Sequence, residues 1–263
     1  DSSNVRVYVD NGQIITSDTQ HIGQQQIMVN TAENFAPTVM ANGFILDPKA
    51  RSNSNSDKET IYNGLNGSTI SGVTWSNMDW LNGGWITDES GNKCLRLLAG
   101  SKVTIPYRVF DTASNHNTLH YGATIEVDYA FRNVSDDTEP VVNMSTKLSR
   151  TQPYGFIMYP NIAYVYTNNL TDTLNQDTEY QEDTRTHFTV NVKYQHTLNI
   201  NGTNYRANFI RTYVNGTINR EFTYSEDDTM NTNMENIVIG SDFADVDIYG
   251  IRIYEDAALS TQE

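Results

Sequence analysis

Apolar and polar residues alternate along most of this chain. The cleanest run is Ile125-Glu126-Val127-Asp128-Tyr129-Ala130-Phe131, with Ile125, Val127, Tyr129 and Phe131 on one face and Glu126, Asp128 and Ala130 on the other. Phe188, Val190, Val192 and Tyr194 repeat the pattern. A period of two belongs to a half-buried strand, because successive side chains leave the pleat on opposite sides. Helical periodicity is almost absent. Further strands are predicted over 86–87, 94–98, 102–105, 156–159, 163–167, 237–240 and 246–254. Asn11-Gly12, Asn201-Gly202 and Asn215-Gly216 are hairpin signals, since type I′ turns need the positive φ that Asn and Gly tolerate. Residues 205–214 and 217–222 are therefore expected to pair about Asn215-Gly216. Many short strands separated by turn signals predict an all-β antiparallel sandwich or barrel.

The last predicted strand is irregular. Val246 and Ile248 are in phase, Gly250 intervenes, and Ile251 and Ile253 continue in the opposite phase. One extra residue inverts the alternation, so a bulge at Gly250 would return all four to the core side. Burial of the strand on both faces is the alternative. A glycine at such a kink is expected to serve strained backbone angles, which gives Gly250→Val a cost of about 1 kcal/mol or more. Beyond the strand, Ser260 and Glu263 have the spacing of a capping box and predict the start of a helix.

Near the N-terminus the pattern predicts a hairpin over 5–15 and a third strand near 26–29. Residues 47–57 form a polar, Ser/Asn-rich stretch typical of loops. Residues 1–34 thus read as the terminal strands of a preceding Ig-like or otherwise β-rich module, and 35–263 as the main domain. The opening Asp1-Ser2-Ser3-Asn4 has neither an initiator methionine nor a signal-peptide pattern, and reads as an excised piece of a longer chain.

Charge narrows the partners. The 263 residues carry 17 basic and 32 acidic side chains, a formal charge of −15. Nucleic-acid binding needs a basic face, so it is not expected. Anionic membranes are disfavoured by the same sign argument. No stretch approaches the roughly 20 apolar residues of a membrane-spanning helix, so no membrane insertion is expected. Cys94 is the one cysteine, which excludes an internal disulfide framework and a Cys-rich zinc site.

Two groups of segments carry a family resemblance. Ile237-Val238-Ile239-Gly240-Ser241-Asp242, Asp247-Ile248-Tyr249-Gly250-Ile251-Arg252-Ile253-Tyr254 and Ala258-Leu259-Ser260 resemble the closing strands of laminin G-like, concanavalin A-like jelly rolls. Gly84-Trp85-Ile86-Thr87-Asp88, Gly91, Leu95-Arg96-Leu97, Val103-Thr104-Ile105-Pro106-Tyr107, Thr124 to Asp128 and Phe131-Arg132-Asn133-Val134 form the second group. They are similar to a version of that jelly roll in virion and tail-associated proteins of gut bacteriophages. Phe44-Ile45-Leu46 and Ala50-Arg51-Ser52-Asn53 resemble the entry to that domain, which Ig-like modules often precede. The resemblance spans roughly residues 36–260. It implies a jelly-roll sandwich and a viral structural setting, and no catalytic motif.

Glu126 and Asp128 are the sharpest catalytic candidates. β-Glucanases of the same superfold carry a third carboxylate on such a strand, and a retaining mechanism needs two carboxyl groups about 5–5.5 Å apart. Here that position is Ala130 or Phe131, so the pair reads as outward-facing acids. His21, His116, His120, His187 and His196 are scattered, without the convergent spacing of a zinc site. Cys94 lies within an apolar strand, where a small buried thiol is the default. The Asn-x-Ser/Thr triplets at Asn66, Asn133, Asn143, Asn169, Asn201 and Asn215 are what chance produces in a chain rich in Asn and Thr.

Two binding chemistries stay open. Asp242, Asp245 and Asp247, and separately Asp136, Asp137 and Glu139, could supply oxygen ligands to a structural calcium, though unpaired surface acids explain them as well. Tyr154, Tyr159, Tyr164 and Tyr166 stand near Asn161, Asn168 and Asn169, a pairing suited to sugar faces and hydroxyls, yet Tyr is also a common strand residue. The function expected is therefore non-enzymatic. It is a virion structural domain contacting other virion proteins and a host-surface glycan or protein, exposed outside the cell, with self-association left open and no cofactor. The alternatives are a carbohydrate-binding module of a secreted bacterial protein and, last, an endoglycanase.

Overall fold

The computed structural model describes residues 7–10, 13–16, 43–107, 123–144, 155–166, 174–177, 181–200, 203–225 and 236–255. Among these residues the protein is all-β, without a helix. The strands begin with β1 (Val7–Asp10), β2 (Gln13–Thr16), β3 (Gly43–Leu46), β4 (Ile61–Tyr62), β5 (Thr69–Ile70), β6 (Thr74–Ser76), β7 (Gly84–Thr87), β8 (Lys93–Leu97), β9 (Lys102–Ile105) and β10 (Ala123–Arg132). They continue with β11 (Val142–Asn143), β12 (Gly155–Met158), β13 (Ile162–Tyr166), β14 (Leu174–Asp177), β15 (Thr186–Ile200), β16 (Thr203–Val214), β17 (Thr217–Ser225), β18 (Ile237–Ile239) and β19 (Asp245–Glu255).

The chain divides into two compact units, Asp1–Ala41 and Asn42–Glu263. In the first, β1 pairs antiparallel with β2, Asp10 opposite Gln13, as the Asn11-Gly12 signal predicts. The boundary expected after residue 34, the strand near 26–29 and the helix start at Ser260 lie outside the described residues.

The second unit is built on two antiparallel sheets. One runs β17-β16-β15-β10-β19-β8-β7, with β3 beside β8 on the same edge of β19, and the other runs β14-β13-β12-β11-β18-β9-β6. Both contribute to a single core, which holds Phe44, Leu95, Val127, Phe131, Phe188 and Ile251 from the first sheet and Val103, Ile105, Val142, Phe156 and Ile239 from the second. Phe156 and Phe188 stack across the gap with centroids 6.2 Å apart. Full burial of each such ring stabilises by about 2–3 kcal/mol, which makes this shared interior the main force holding the sheets face to face.

Turn chemistry and bulge fall close to where the pattern puts them. Val214 pairs with Thr217, and Asn215 (φ 50°) and Gly216 (φ 77°) both take the positive φ of a type I′ turn. Against β10, Asp128 faces Gly250 and Tyr129 faces Ile248, so Tyr249 is the extra residue. Val246, Ile248, Ile251 and Ile253 accordingly all enter the core. The expected strain at Gly250 is not there. Its φ is not positive, and a Cβ on it would make an ordinary 3.6 Å contact with the Leu46 carbonyl oxygen. Glycine is needed instead at Gly240, after β18, where φ is +111° and a Cβ would collide with the Ser101 carbonyl oxygen.

Candidate functional site

The outer face of the eight-stranded sheet gathers Glu126, Asp128, Cys94, His187 and Asp247 of the residues singled out from sequence. Alternation sends Glu126 and Asp128 of β10 outward, as expected, but other side chains largely cover them. Asp128 is held by Arg185, whose Nε and Nη2 donate to its two carboxylate oxygens at 2.8 and 2.6 Å. Glu126 accepts from Arg252 Nη1 at 3.2 Å and lies 3.7 Å from His187 Nε2. Burial pushes the Glu126 carboxyl upward, but His187 and Arg252 outweigh it and hold the group below the ordinary carboxylate value. The third outward position on the strand is Ala130, buried with Cys94 and Tyr249. Both carboxylates are thus spent on arginines, and this strand holds no acid/base partner for a two-carboxylate hydrolysis.

Next to them lies a buried ionic cluster. Asp247 of β19 is 0% exposed and receives Arg96 Nε and Nη2 and Arg132 Nε, each at 2.7 Å. Arg132 continues to Asp183 at 2.9 Å. Tyr249 donates to Asp88 at 2.8 Å beneath the Arg185 guanidinium, which sits 4.2 Å from its ring centroid. Cys94 is buried as expected, although on this outer side rather than in the main core. Burial, helped by the Asp247 charge, pushes its thiol up to about 12, which leaves almost no nucleophilic thiolate.

The acidic groups considered for calcium are engaged with donors of the protein itself. Asp245 accepts from the Ala99 backbone N–H and from Asn133, and Asp247 is enclosed by arginines. Glu139 accepts from Lys102, Ser241 and the Asp242 backbone N–H, while Asp242 pairs with Lys102 at 3.2 Å. Asp137 accepts from Asn161 and Asp136 from the Thr138 backbone N–H. Among the described residues no three of His, Cys, Asp and Glu converge to hold an ion. In the tyrosine hairpin, Tyr159 and Tyr164 meet edge-on at 5.7 Å. Tyr154, Asn168 and Asn169 lie outside the described residues, as do His21, His116 and His120 and the side chains of Tyr166 and His196.

A second locus was not anticipated as a site. β6 and β7 are edge strands of opposite sheets, and Trp75 and Trp85 on them meet edge-to-face at 6.2 Å, with Trp80 of the connecting loop 5.2 Å from Trp75. All three tryptophans of the protein therefore close one edge of the sandwich. Trp85 and Trp75 donate their indole N–H groups to the Lys58 and Glu59 carbonyls, which pins the polar stretch before β4 to this corner. Arg51 is slotted between the rings of Tyr62 (5.0 Å) and Trp85 (4.9 Å) and donates to Asp57 and to the Asp57 and Thr60 carbonyls. Asn53 donates to the Trp80 and Gly83 carbonyls and accepts from the Trp85 N–H, so the loop that presents Leu81, 90% exposed, is firmly held.

This corner encloses a cavity of about 330 Å³, lined by Asp47, Arg51, Asp57, Thr60, Tyr62 and Trp85 among others. Tyr62 is 38% exposed at its mouth and donates to Asp57 at 3.0 Å. The sequence did carry a signal, in the crowding of every tryptophan into residues 75–85. What it lacked was the pairing that brings edge strands of two sheets together.

With this architecture in hand, comparison with solved structures finds binding domains of botulinum neurotoxins and of a mosquitocidal protein. The binding domain of botulinum neurotoxin DC in complex with rat synaptotagmin II superposes with a TM-score of 0.53 at 12% identity, over 85% of this chain and 50% of that one. The binding domain of Paraclostridial Mosquitocidal Protein 1 gives 0.54 at 13% identity, over 85% and 51%. The botulinum neurotoxin DC binding domain in complex with SialylT gives 0.50 at 14% identity, over 83% and 48%. At such identities the likeness is one of fold, and this chain spans about half the length of those domains. No family model matches the chain, and no curated protein matches it.

Proposed function

We propose that this chain is a non-enzymatic adhesion domain of a bacteriophage virion protein, tail- or surface-associated, that contacts a glycan or protein on the host surface. The observation that carries this is the corner cavity at Tyr62. An aromatic ring is exposed at its mouth, backed by a fixed guanidinium, and the carboxylates of Asp47 and Asp57 stand in its lining. Concave sites with a few placed polar groups are where ligands bind, and a ring beside hydroxyl acceptors suits a sugar. The pairing of Glu126 and Asp128 with arginines speaks against hydrolysis. The fold shared with toxin binding domains supports a binding role. The virion setting and the jelly-roll class draw on the resemblance of the Ala50-Arg51-Ser52-Asn53 entry and the Gly84-Trp85 and Ile251-Arg252-Ile253-Tyr254 segments.

A second reading, a carbohydrate-binding module of a secreted bacterial protein, is favoured by the bacterial source of those structural neighbours. Mass spectrometry of purified particles separates the two, since only the first puts the chain in virions. A glycan array probed with a tetramerised domain tests the site. Wild type is expected to retain a subset of glycans and Tyr62→Ala to lose them. Reducing-sugar release that disappears in Glu126→Gln would contradict the non-enzymatic assignment.

A further inference from the structure

The geometry points to a second ligand site, on the outer face of the eight-stranded sheet, that takes the carboxylate of an acidic sugar; it rests on the glycan-adhesion reading above. A cavity of about 400 Å³ opens there, lined by Asp128, Arg185, His187, Asn215 and Arg252. That volume accommodates a pyranose ring with its substituents.

The lining has more donors than acceptors. Arg185 spends Nε and Nη2 on Asp128, which leaves its Nη1 amino group. Among the described residues Arg252 engages Nη1 alone, with Glu126, so its Nε and Nη2 remain. A guanidinium carries five N–H donors and no acceptor, so both side chains still seek acceptors. Asn215 accepts the His187 backbone N–H on its Oδ1 at 2.9 Å, which leaves its amide NH2 as a donor. His187 Nε2 is buried without a hydrogen-bond partner, 3.7 Å from Glu126. Both oxygens of Asp128 are taken, and Glu126 is paired with Arg252, so the acidic groups facing the cavity are neutralised. An incoming carboxylate supplies the missing acceptors, and guanidinium forks are the groups that bind carboxylates in two-point fashion.

The lining also selects the carrier. It holds no aliphatic side chain, whereas peptide anchors bury apolar groups in such pockets. A sugar instead turns hydroxyl oxygens toward the amide of Asn215. In a chain of charge −15 an anion needs a local site of this kind, because the mean field repels it.

Titration of the isotope-labelled full chain with sodium glucuronate, followed by amide NMR, tests the site against glucose and against sodium acetate at matched ionic strength. The expected result is saturable shifts at His187, Asn215 and Arg252, with glucose and acetate each at least about tenfold weaker. Arg252→Ala should weaken glucuronate about tenfold, and Arg252→Gln, which keeps a donor to Glu126, should do the same if the first variant is unstable. Tyr62→Ala should leave these shifts intact. Equal binding of acetate, indifferent to Arg252, would mean an adventitious ion only and would overturn the site. Shifts centred on Tyr62 and lost in Tyr62→Ala would overturn this site while supporting the corner cavity. Shifts at His187 beside a glycan array on which Tyr62→Ala matches wild type would overturn the corner and keep this one.

Discussion

Asp247 sits fully buried between Arg96 and Arg132, and it ties β19 to β8 and β10 through three charge-assisted hydrogen bonds of 2.7 Å. Removing one member of such a cluster is costly because the remaining charges stay in low dielectric without compensation. Asp247→Asn should therefore destabilise by about 3 kcal/mol, read as a fall in the urea midpoint with an unchanged slope. Acid should act on milder contacts. Glu126 and Glu139, with an ordinary value of 4.5, and Asp88, at 3.8, are all held lower in the fold. Burial raises each of the three, and is outweighed at Glu126 by His187 and Arg252, at Glu139 by Lys102, the Asp242 N–H and Ser241, and at Asp88 by Asn92, Tyr249 and the Ser90 N–H. A depressed folded value adds stability above the unfolded value and loses it as the pH falls through the folded one. The melting temperature should thus hold steady from about pH 7 to pH 5 and drop on further acidification below about pH 4. A melting temperature that rises below pH 4 would contradict these assignments.

At the level of elements, the account separates two glycines. Gly240 has φ +111° and no room for a Cβ beside the Ser101 carbonyl, whereas Gly250 has neither constraint. Gly240→Ala should cost about 2 kcal/mol and Gly250→Ala less than about 0.5 kcal/mol, a contrast that paired thermal melts would show. The elements themselves were largely legible. β9 lies where alternation puts it, 102–105, and β10, β18 and β19 differ by a residue or two at their ends. The phase break after Ile248 correctly announced a bulge, because burial forces each apolar residue to one side. Which residue bulges depends on pairing with β10, and the pattern alone could not say that Tyr249 rather than Gly250 is the extra one. The short strands β3, β4, β5, β6, β11 and β14 were not foreseen, since two to four residues carry little of a period. The outward acids were legible as outward but not as covered, because Arg185 and Arg252 reach them from distant parts of the chain. The tryptophan corner escaped for the same reason.

The whole molecule carries a formal charge of −15, which repels further copies of itself and the anionic surface of a cell. On the adhesion reading proposed above, contact comes from local groups, the exposed face of Tyr62 and its neighbouring carboxylates above all. Contacts of that kind are individually weak, and repetition on a particle raises avidity through effective concentration. The most direct test is equilibrium binding of the domain to immobilised target glycan or host cells, as monomer and as tetramer, in wild type and Tyr62→Ala. The account predicts a monomer dissociation constant of about 0.1–1 mM, near −4 to −5 kcal/mol, with an apparent affinity at least about 100-fold tighter for the tetramer and loss of both in Tyr62→Ala. Nanomolar binding by the monomer, or tetramer binding untouched by Tyr62→Ala, would contradict it.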